Sequence, residues 1–150
     1  MNEVETIEVV YKRLLGKLNE EGFNLQKVKP INHGRYFIAF GENDAIFVAY
    51  KREFFNSFGK MFKHLGYKGM GDSINIDDLK ECLRYNVSNI YSVFPNGKAY
   101  KIGLTEFLTK GISWTNKEGK LVKSISIHEY KEAMIIWKKK QSDIFQYLRE

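Results

Sequence analysis

The sequence predicts an α/β fold in which helices flank a central mixed β-sheet. Three observations support this prediction. An amphipathic helical stripe opens the chain, apolar runs of strand length follow in pairs around turn signals, and a further helix separates these pairs. The runs at residues 36–40 and 45–50 are apolar nearly throughout, which indicates a sheet covered on both faces. We therefore expect one α/β domain over residues 1–150.

The first element is a helix, predicted over residues 4–21 because its apolar side chains recur at helical spacing and form one stripe. Gly22 follows, where a helix commonly ends. Residues 23–29 then indicate a short strand that Pro30 closes, since proline lacks the N–H group that a strand ladder needs.

The next predicted element is a hairpin, RYFIAFGENDAIFVAYK, over residues 35–51. Its two strands are rich in β-branched and aromatic residues and flank the turn GEND. Residues 51–73 then break the pattern with closely spaced glycines, so we expect an irregular insert there.

The second half predicts a helix over residues 76–85 and then two hairpins. The first hairpin turns at PNGK, which is a strong hairpin signal, and the second turns at TNKEGK. Their four strands are predicted at residues 89–94, 99–102, 112–114 and 121–127. A capping-box pattern, Ser126-Ile-His-Glu129, predicts that an extra C-terminal helix covers residues 127–150.

Composition and charge limit the functional classes. The single cysteine, Cys82, excludes an internal disulfide and is typical of a reducing compartment. No stretch approaches the roughly 20 apolar residues of a membrane span, and the acidic N-terminus does not resemble a signal peptide. We therefore expect a cytoplasmic location and no membrane partner. The net charge is +6, and residues 51–150 carry all of the basic excess, which favours a polyanionic partner such as nucleic acid.

The hairpin and its surroundings resemble the archaeal Holliday junction resolvases of the PD-(D/E)xK nuclease superfamily. The resemblance covers about residues 5–125. It is carried by the opening helix that leads into EEGFNLQKVKP, by the hairpin that ends in Lys51, and by IDDLKECLRYNVSNIYSVFPNGKAYKIGLTEFL. It implies a restriction-endonuclease-like core, association with DNA and a homodimer.

In that family a divalent metal ion holds the scissile phosphate and activates a water molecule. The resemblance implies carboxylate ligands on the first hairpin strand, two residues before the lysine, and on the opening helix. These positions hold Arg35 or Tyr36, then Ala49, and then Tyr11, Lys12 or Arg13. Only Lys51 of the motif is retained, so we expect this lysine to be vestigial, with no catalysis, no metal and no cofactor.

Other acids are candidates for relocated metal ligands: Glu42 and Asp44 in the turn, Glu53 after the lysine, and Glu5 and Glu8 on the opening helix. The turn lies about 20 Å from Lys51 at the rise of a strand. The histidines His33, His64 and His128 lack paired metal-ligand spacing, and Cys82 lies among apolar helix residues as a small buried side chain.

The insert at residues 51–73 is the predicted nucleic-acid-binding segment. Its basic side chains can neutralise phosphates, and its aromatic rings can stack on exposed bases. The candidate contact residues are Lys51, Arg52, Lys60, Lys63, Tyr67 and Lys68. The alternative interpretation places the phenylalanines of the insert in the core or in a dimer interface, and its lysines in solvent.

The leading hypothesis is a non-catalytic homodimer that binds branched or double-stranded DNA by structure rather than by sequence. A second hypothesis is a regulatory or protein–protein interaction module on the same fold. A third is a metal-dependent nuclease with relocated acids.

Overall fold

The computed structural model describes residues 7–34, 36–50, 71–94 and 97–136. Within these ranges the helices are α1 (Ile7–Glu20), α2 (Ile76–Arg84) and α3 (Leu104–Lys110). The strands are β1 (Lys27–Ile31), β2 (Tyr36–Phe40), β3 (Ala45–Tyr50), β4 (Gly71–Asn75), β5 (Asn89–Val93), β6 (Lys98–Gly103), β7 (Ile112–Thr115), β8 (Leu121–Ser126) and β9 (Lys131–Ile135).

Six strands form the main sheet, in the order β1-β2-β3-β5-β6-β9. Strands β3 and β5 run parallel, and every other neighbouring pair is antiparallel. The predicted α/β fold with a mixed central sheet is therefore confirmed. The hairpin of β5 and β6 closes where PNGK predicted it, with the N–H of Phe94 donating to the carbonyl of Lys98 over 3.0 Å.

Helix α1 covers one face of the main sheet because its apolar stripe buries Val10, Leu14 and Leu18 against that face. The helix ends at the predicted glycine. Gly22 has a φ angle of +109°, and its N–H donates to the carbonyl of Asn19 over 3.2 Å. The next N–H donates to the carbonyl of Leu18 over 3.1 Å, which completes a Schellman motif.

The other face of the main sheet is covered by a second sheet, in the order β4-β8-β7, together with α2 and α3. Ile74 and Ile125 from the second sheet and Phe107 from α3 pack on this side, and all three are at most 1% exposed. The main sheet therefore lies between α1 on one side and a mixed layer of strands and helices on the other.

Strand β1 differs from its prediction. It covers Lys27–Ile31 and includes Pro30, which was expected to close a strand at residues 23–29. Within the described ranges β1 is an edge strand of the main sheet, and an edge strand tolerates a proline because one side of its backbone needs no ladder partner.

The predicted C-terminal helix is wrong over residues 127–136. Ser126 does cap a turn, since its Oγ accepts the N–H of His128 over 3.3 Å, but that turn is a single 3₁₀ helix, Ile127–Glu129. The chain then becomes β9, which pairs with β6. Backbone pairing along the open edge of β6 thus overrides the local helix signal. Residues 137–150 lie outside the described ranges.

Two further elements were not predicted. Strand β4 begins at Gly71, inside the segment expected to be an irregular insert, and its ladder partner β8 lies about 50 residues later in the chain. Helix α3 is only 7 residues long and lies between Gly103 and Gly111. No helix within the ranges given above is long and apolar enough to cross a membrane.

Candidate functional site

One row of side chains crosses the main sheet near the carboxyl ends of the two parallel strands. Tyr36 on β2 is the ladder partner of Ala49 on β3, Ala49 pairs with Ser92 on β5, and Ser92 pairs with Tyr100 on β6. Ladder partners point to the same face, and this face packs against the second sheet. The carboxyl ends of parallel strands are where α/β proteins commonly place a ligand.

Arg35, one of the two candidates for the first-strand acid position, lies outside the described ranges. The row holds the other candidate, Tyr36, together with Ala49, the second hairpin position at which the nuclease resemblance implies an acid. They are side by side, but neither carries a carboxylate. Ala49 is 0% exposed, and the ring of Tyr36 packs on the ring of Phe47 with centroids 5.3 Å apart. Ala49 is uncharged and fully buried, and Tyr36 is uncharged and half-buried, so these two positions lack the carboxylate ligands that a hydrated divalent metal ion needs.

Helix α1 supplies no acid to the row. Its Tyr11 packs on Phe37 with ring centroids 4.5 Å apart, and Phe37 points to the opposite face from its neighbour Tyr36. The helix therefore lies on the far side of the sheet. Glu8 is exposed on that helix, so it faces solvent on the side away from Ala49.

The turn acids of the hairpin are also distant from the row. Phe40 pairs with Ala45 at the turn end of the hairpin, whereas Tyr36 pairs with Ala49 at the other end. Asp44, five residues before Ala49, is about 17 Å away at the rise of a strand. Its Oδ2 accepts the N–H of Asn24 over 2.9 Å, which ties the turn to the segment after α1.

An acid does reach the row, but it comes from the second sheet. Asp72 on β4 accepts two hydrogen bonds at the same oxygen, Oδ2. One comes from the hydroxyl of Ser92 and the other from the hydroxyl of Tyr130, each over 2.7 Å. Asp72 is 1% exposed and Ser92 is 0% exposed. Asp72, Ser92 and Tyr130, which we call the Asp72 cluster, thus join β4, β5 and the segment before β9.

The hydrogen bonds of the Asp72 cluster favour a structural role. Burial raises the pKa of Tyr130 well above its usual value, and the neighbouring Asp72 carboxylate raises it further. Tyr130 therefore keeps its proton at neutral pH and remains a hydrogen-bond donor. The two hydroxyls satisfy the buried Oδ2 of Asp72 and fasten the second sheet to the main sheet.

Cys82 and two of the three histidines fall within the described ranges, and His64 lies outside them. Cys82 on α2 is 0% exposed, which confirms the predicted buried position, and burial raises the pKa of its thiol to about 12. A thiol with that pKa is not a nucleophile at neutral pH. His33 lies in the β1–β2 turn and His128 in the 3₁₀ helix. In the part of the chain that the structure describes, no three His, Cys, Asp or Glu side chains come together as a metal site.

All six predicted nucleic-acid contacts fall outside the described ranges: Lys51, Arg52, Lys60, Lys63, Tyr67 and Lys68. The described residues contain 14 of the 24 basic and 13 of the 18 acidic side chains, so they contribute +1 to the net charge of +6. Several of the basic side chains are paired with acids, including Lys29 with Glu81 at 3.3 Å and Lys98 with Glu132 at 3.0 Å. Most of the basic excess therefore belongs to the remaining segments.

Neither protein-family models nor curated protein sequences give a match to this chain.

Proposed function

We propose that this chain is a non-catalytic nucleic-acid-binding protein on a Holliday junction resolvase-like, restriction-endonuclease-like core. The order of elements supports this: α1, three strands of the main sheet, α2 and then two more strands of the main sheet follow one another, with β4 of the second sheet inserted before α2. The hairpin register supports it too, because Tyr36 and Ala49 are neighbours, as the two acid positions of that nuclease motif would be.

The observation that supports the absence of catalysis is the burial of Ala49 and Ser92, the two central residues of the row. Ala49 and Ser92 are both 0% exposed beneath the second sheet. A scissile phosphate and its metal ion need carboxylate oxygens that point into an open cleft. A buried alanine and serine provide neither, so the fold keeps its core and lacks the reaction centre.

The nucleic-acid part rests on charge. The segment of residues 51–70 carries five basic side chains against one acid, interleaved with aromatic residues. It follows directly after β3, which ends at Tyr50 in the motif hairpin. Phosphate contacts from lysines carry no base information, so the proposed binding depends on DNA structure rather than on sequence.

We expect no cleavage when four-way, branched and linear DNA are incubated with the protein in Mg²⁺ or Mn²⁺. Gel electrophoresis of end-labelled strands provides the readout. Cleavage that survives further purification and disappears in Lys51→Ala would overturn the proposal and favour a nuclease with relocated ligands.

A nuclease with relocated acids is a second candidate, and the position of Asp72 favours it. This carboxylate lies beside the row that contains the metal-ligand positions of the nuclease motif. The second candidate function is weaker than the first because Asp72 is 1% exposed and already accepts two hydroxyl hydrogen bonds. If cleavage occurs, its loss in Asp72→Asn with the fold retained would identify Asp72 as the relocated ligand.

We also propose a homodimer, since the resolvase resemblance implies a two-fold assembly that matches a two-fold DNA junction. We expect light scattering at micromolar concentration to give about twice the chain mass of 17.6 kDa. A mass of one chain at every concentration tested would remove this part of the proposal without affecting the DNA-binding part.

A further inference from the structure

Two lysines face each other on the last two strands of the main sheet. Lys101 on β6 and Lys131 on β9 are ladder partners, so their side chains leave the same face. Their Cβ atoms are about 5 Å apart, as is usual for opposed residues of an antiparallel pair. Lys101 is half-buried and Lys131 is exposed. We call Lys101 and Lys131 the lysine pair.

Like charges in direct opposition across two strands are unfavourable. The same two strands hold an opposite arrangement on their other face, where Lys98 and Glu132 form an ion pair at 3.0 Å. The two strands thus form a diagonal lysine–acid ion pair on one face and place two lysines opposite each other on the other face. Cross-strand charge pairing therefore does not stabilise the lysine pair.

No carboxylate of the described residues forms an ion pair with Lys101 or Lys131. The neighbour of Lys101 on β5 is Tyr91, which is 2% exposed. Burial raises the pKa of Tyr91, and the carboxylate of Glu21 at the end of α1 raises it further. Among the described residues, Glu21 forms no ion pair with either lysine.

We propose that the lysine pair binds a backbone phosphate of the nucleic acid. Two ammonium groups on adjacent strands can hold one phosphate between them, and the phosphate removes the repulsion that the free protein carries. This inference rests on the proposed function and extends it. It adds a contact on the α1 face of the sheet, opposite to the face that carries Tyr36 and Ala49.

The test uses a charge reversal that has opposite effects on folding and on binding. Lys131→Glu places an acid opposite Lys101, so the melting temperature should stay unchanged or rise. The same change should lower DNA affinity by about tenfold at low salt and reduce the slope of log affinity against log salt by about one unit. Fluorescence anisotropy and thermal unfolding monitored by circular dichroism measure the two effects.

Lys117→Glu is the matched control. Lys117 is exposed in the turn between β7 and β8, and its reversal changes the net charge from +6 to +4 as Lys131→Glu does. A smaller loss of affinity in Lys117→Glu than in Lys131→Glu supports the lysine pair as a local contact. Equal losses in both variants, or no loss in either, would overturn it.

Two further outcomes distinguish a failure of the proposed DNA-binding function from a failure of the lysine pair as a DNA contact. If the wild-type chain binds no DNA, the proposed function fails and the lysine pair fails with it. If inorganic phosphate raises the melting temperature of the wild type but not of Lys131→Glu, while both bind DNA with the same salt slope, the pair is a site for free phosphate. That result would overturn the assignment to nucleic acid.

Discussion

Replacing Asp72 with alanine is expected to lower the free energy of unfolding by about 3 kcal/mol or more, which is among the largest effects of any single polar substitution. The substitution removes the acceptor that Ser92 and Tyr130 share, and both hydroxyls are buried. A buried donor left without an acceptor costs about 1–3 kcal/mol, and two such donors are created here. Urea unfolding measures the loss.

Asp77→Ala is the matched control, because it makes the same chemical change at an exposed acid in the first turn of α2. Its expected cost is at most about 1 kcal/mol, the usual contribution of an acid near a helix N-terminus. If Asp72→Ala costs no more than Asp77→Ala, the Asp72 cluster does not fasten the two sheets together.

Tyr130→Phe separates the hydrogen bond from the packing of the ring. It removes one donor to a carboxylate, which is expected to cost about 1.5–3 kcal/mol. In the double variant with Asp72→Ala the two losses should be strongly non-additive, since both remove the same interaction. Additive losses would show that Tyr130 and Asp72 stabilise the fold independently.

A second large effect is expected from the segment after β3. Replacing both Lys63 and Lys68 with alanine should weaken binding to every DNA sequence and flatten the salt dependence by about two units if both contact phosphate. Each neutralised phosphate releases condensed counterions, which gives a log–log slope of about −0.9 per contact. Anisotropy titrations of the double variant and the wild type at matched salt concentrations measure the difference.

Lys117→Ala combined with Lys120→Ala provides the control for that pair. Both lysines are exposed in the β7–β8 turn, so the net charge changes by the same amount at another place. Equal salt slopes for the two double variants would show that Lys63 and Lys68 do not form the contact surface.

Tyr67→Ala should weaken binding to branched or single-stranded DNA more than to duplex, because only an unpaired base is free to stack.

The hairpin at residues 36–50 could be predicted because its signals are local. Two apolar runs of strand length flank a turn, and their spacing determines that Tyr36 pairs with Ala49. The same holds for the end of α1, where Gly22 adopts the positive φ angle that a glycine permits. These features required no knowledge of distant parts of the chain.

The second sheet and the Asp72 cluster could not be predicted in this way. Asp72 lies in a short polar strand, and its ladder partner, Ile125, is 53 residues later in the chain. No local sequence pattern therefore identifies Asp72 as a buried residue. The capping pattern at Ser126 was real, but it caps one turn before the chain joins the edge of β6. In both cases long-range pairing determined the structure.

The most direct test of the central claim is a titration of a fluorescently labelled four-way DNA junction with the wild-type chain at several salt concentrations in Mg²⁺. We predict saturable binding at low salt, an affinity that falls linearly on a log–log plot as salt rises, and recovery of the junction intact. Absence of binding at low salt with micromolar protein would contradict the nucleic-acid function and favour a protein partner. Cleaved junction would contradict the absence of catalysis.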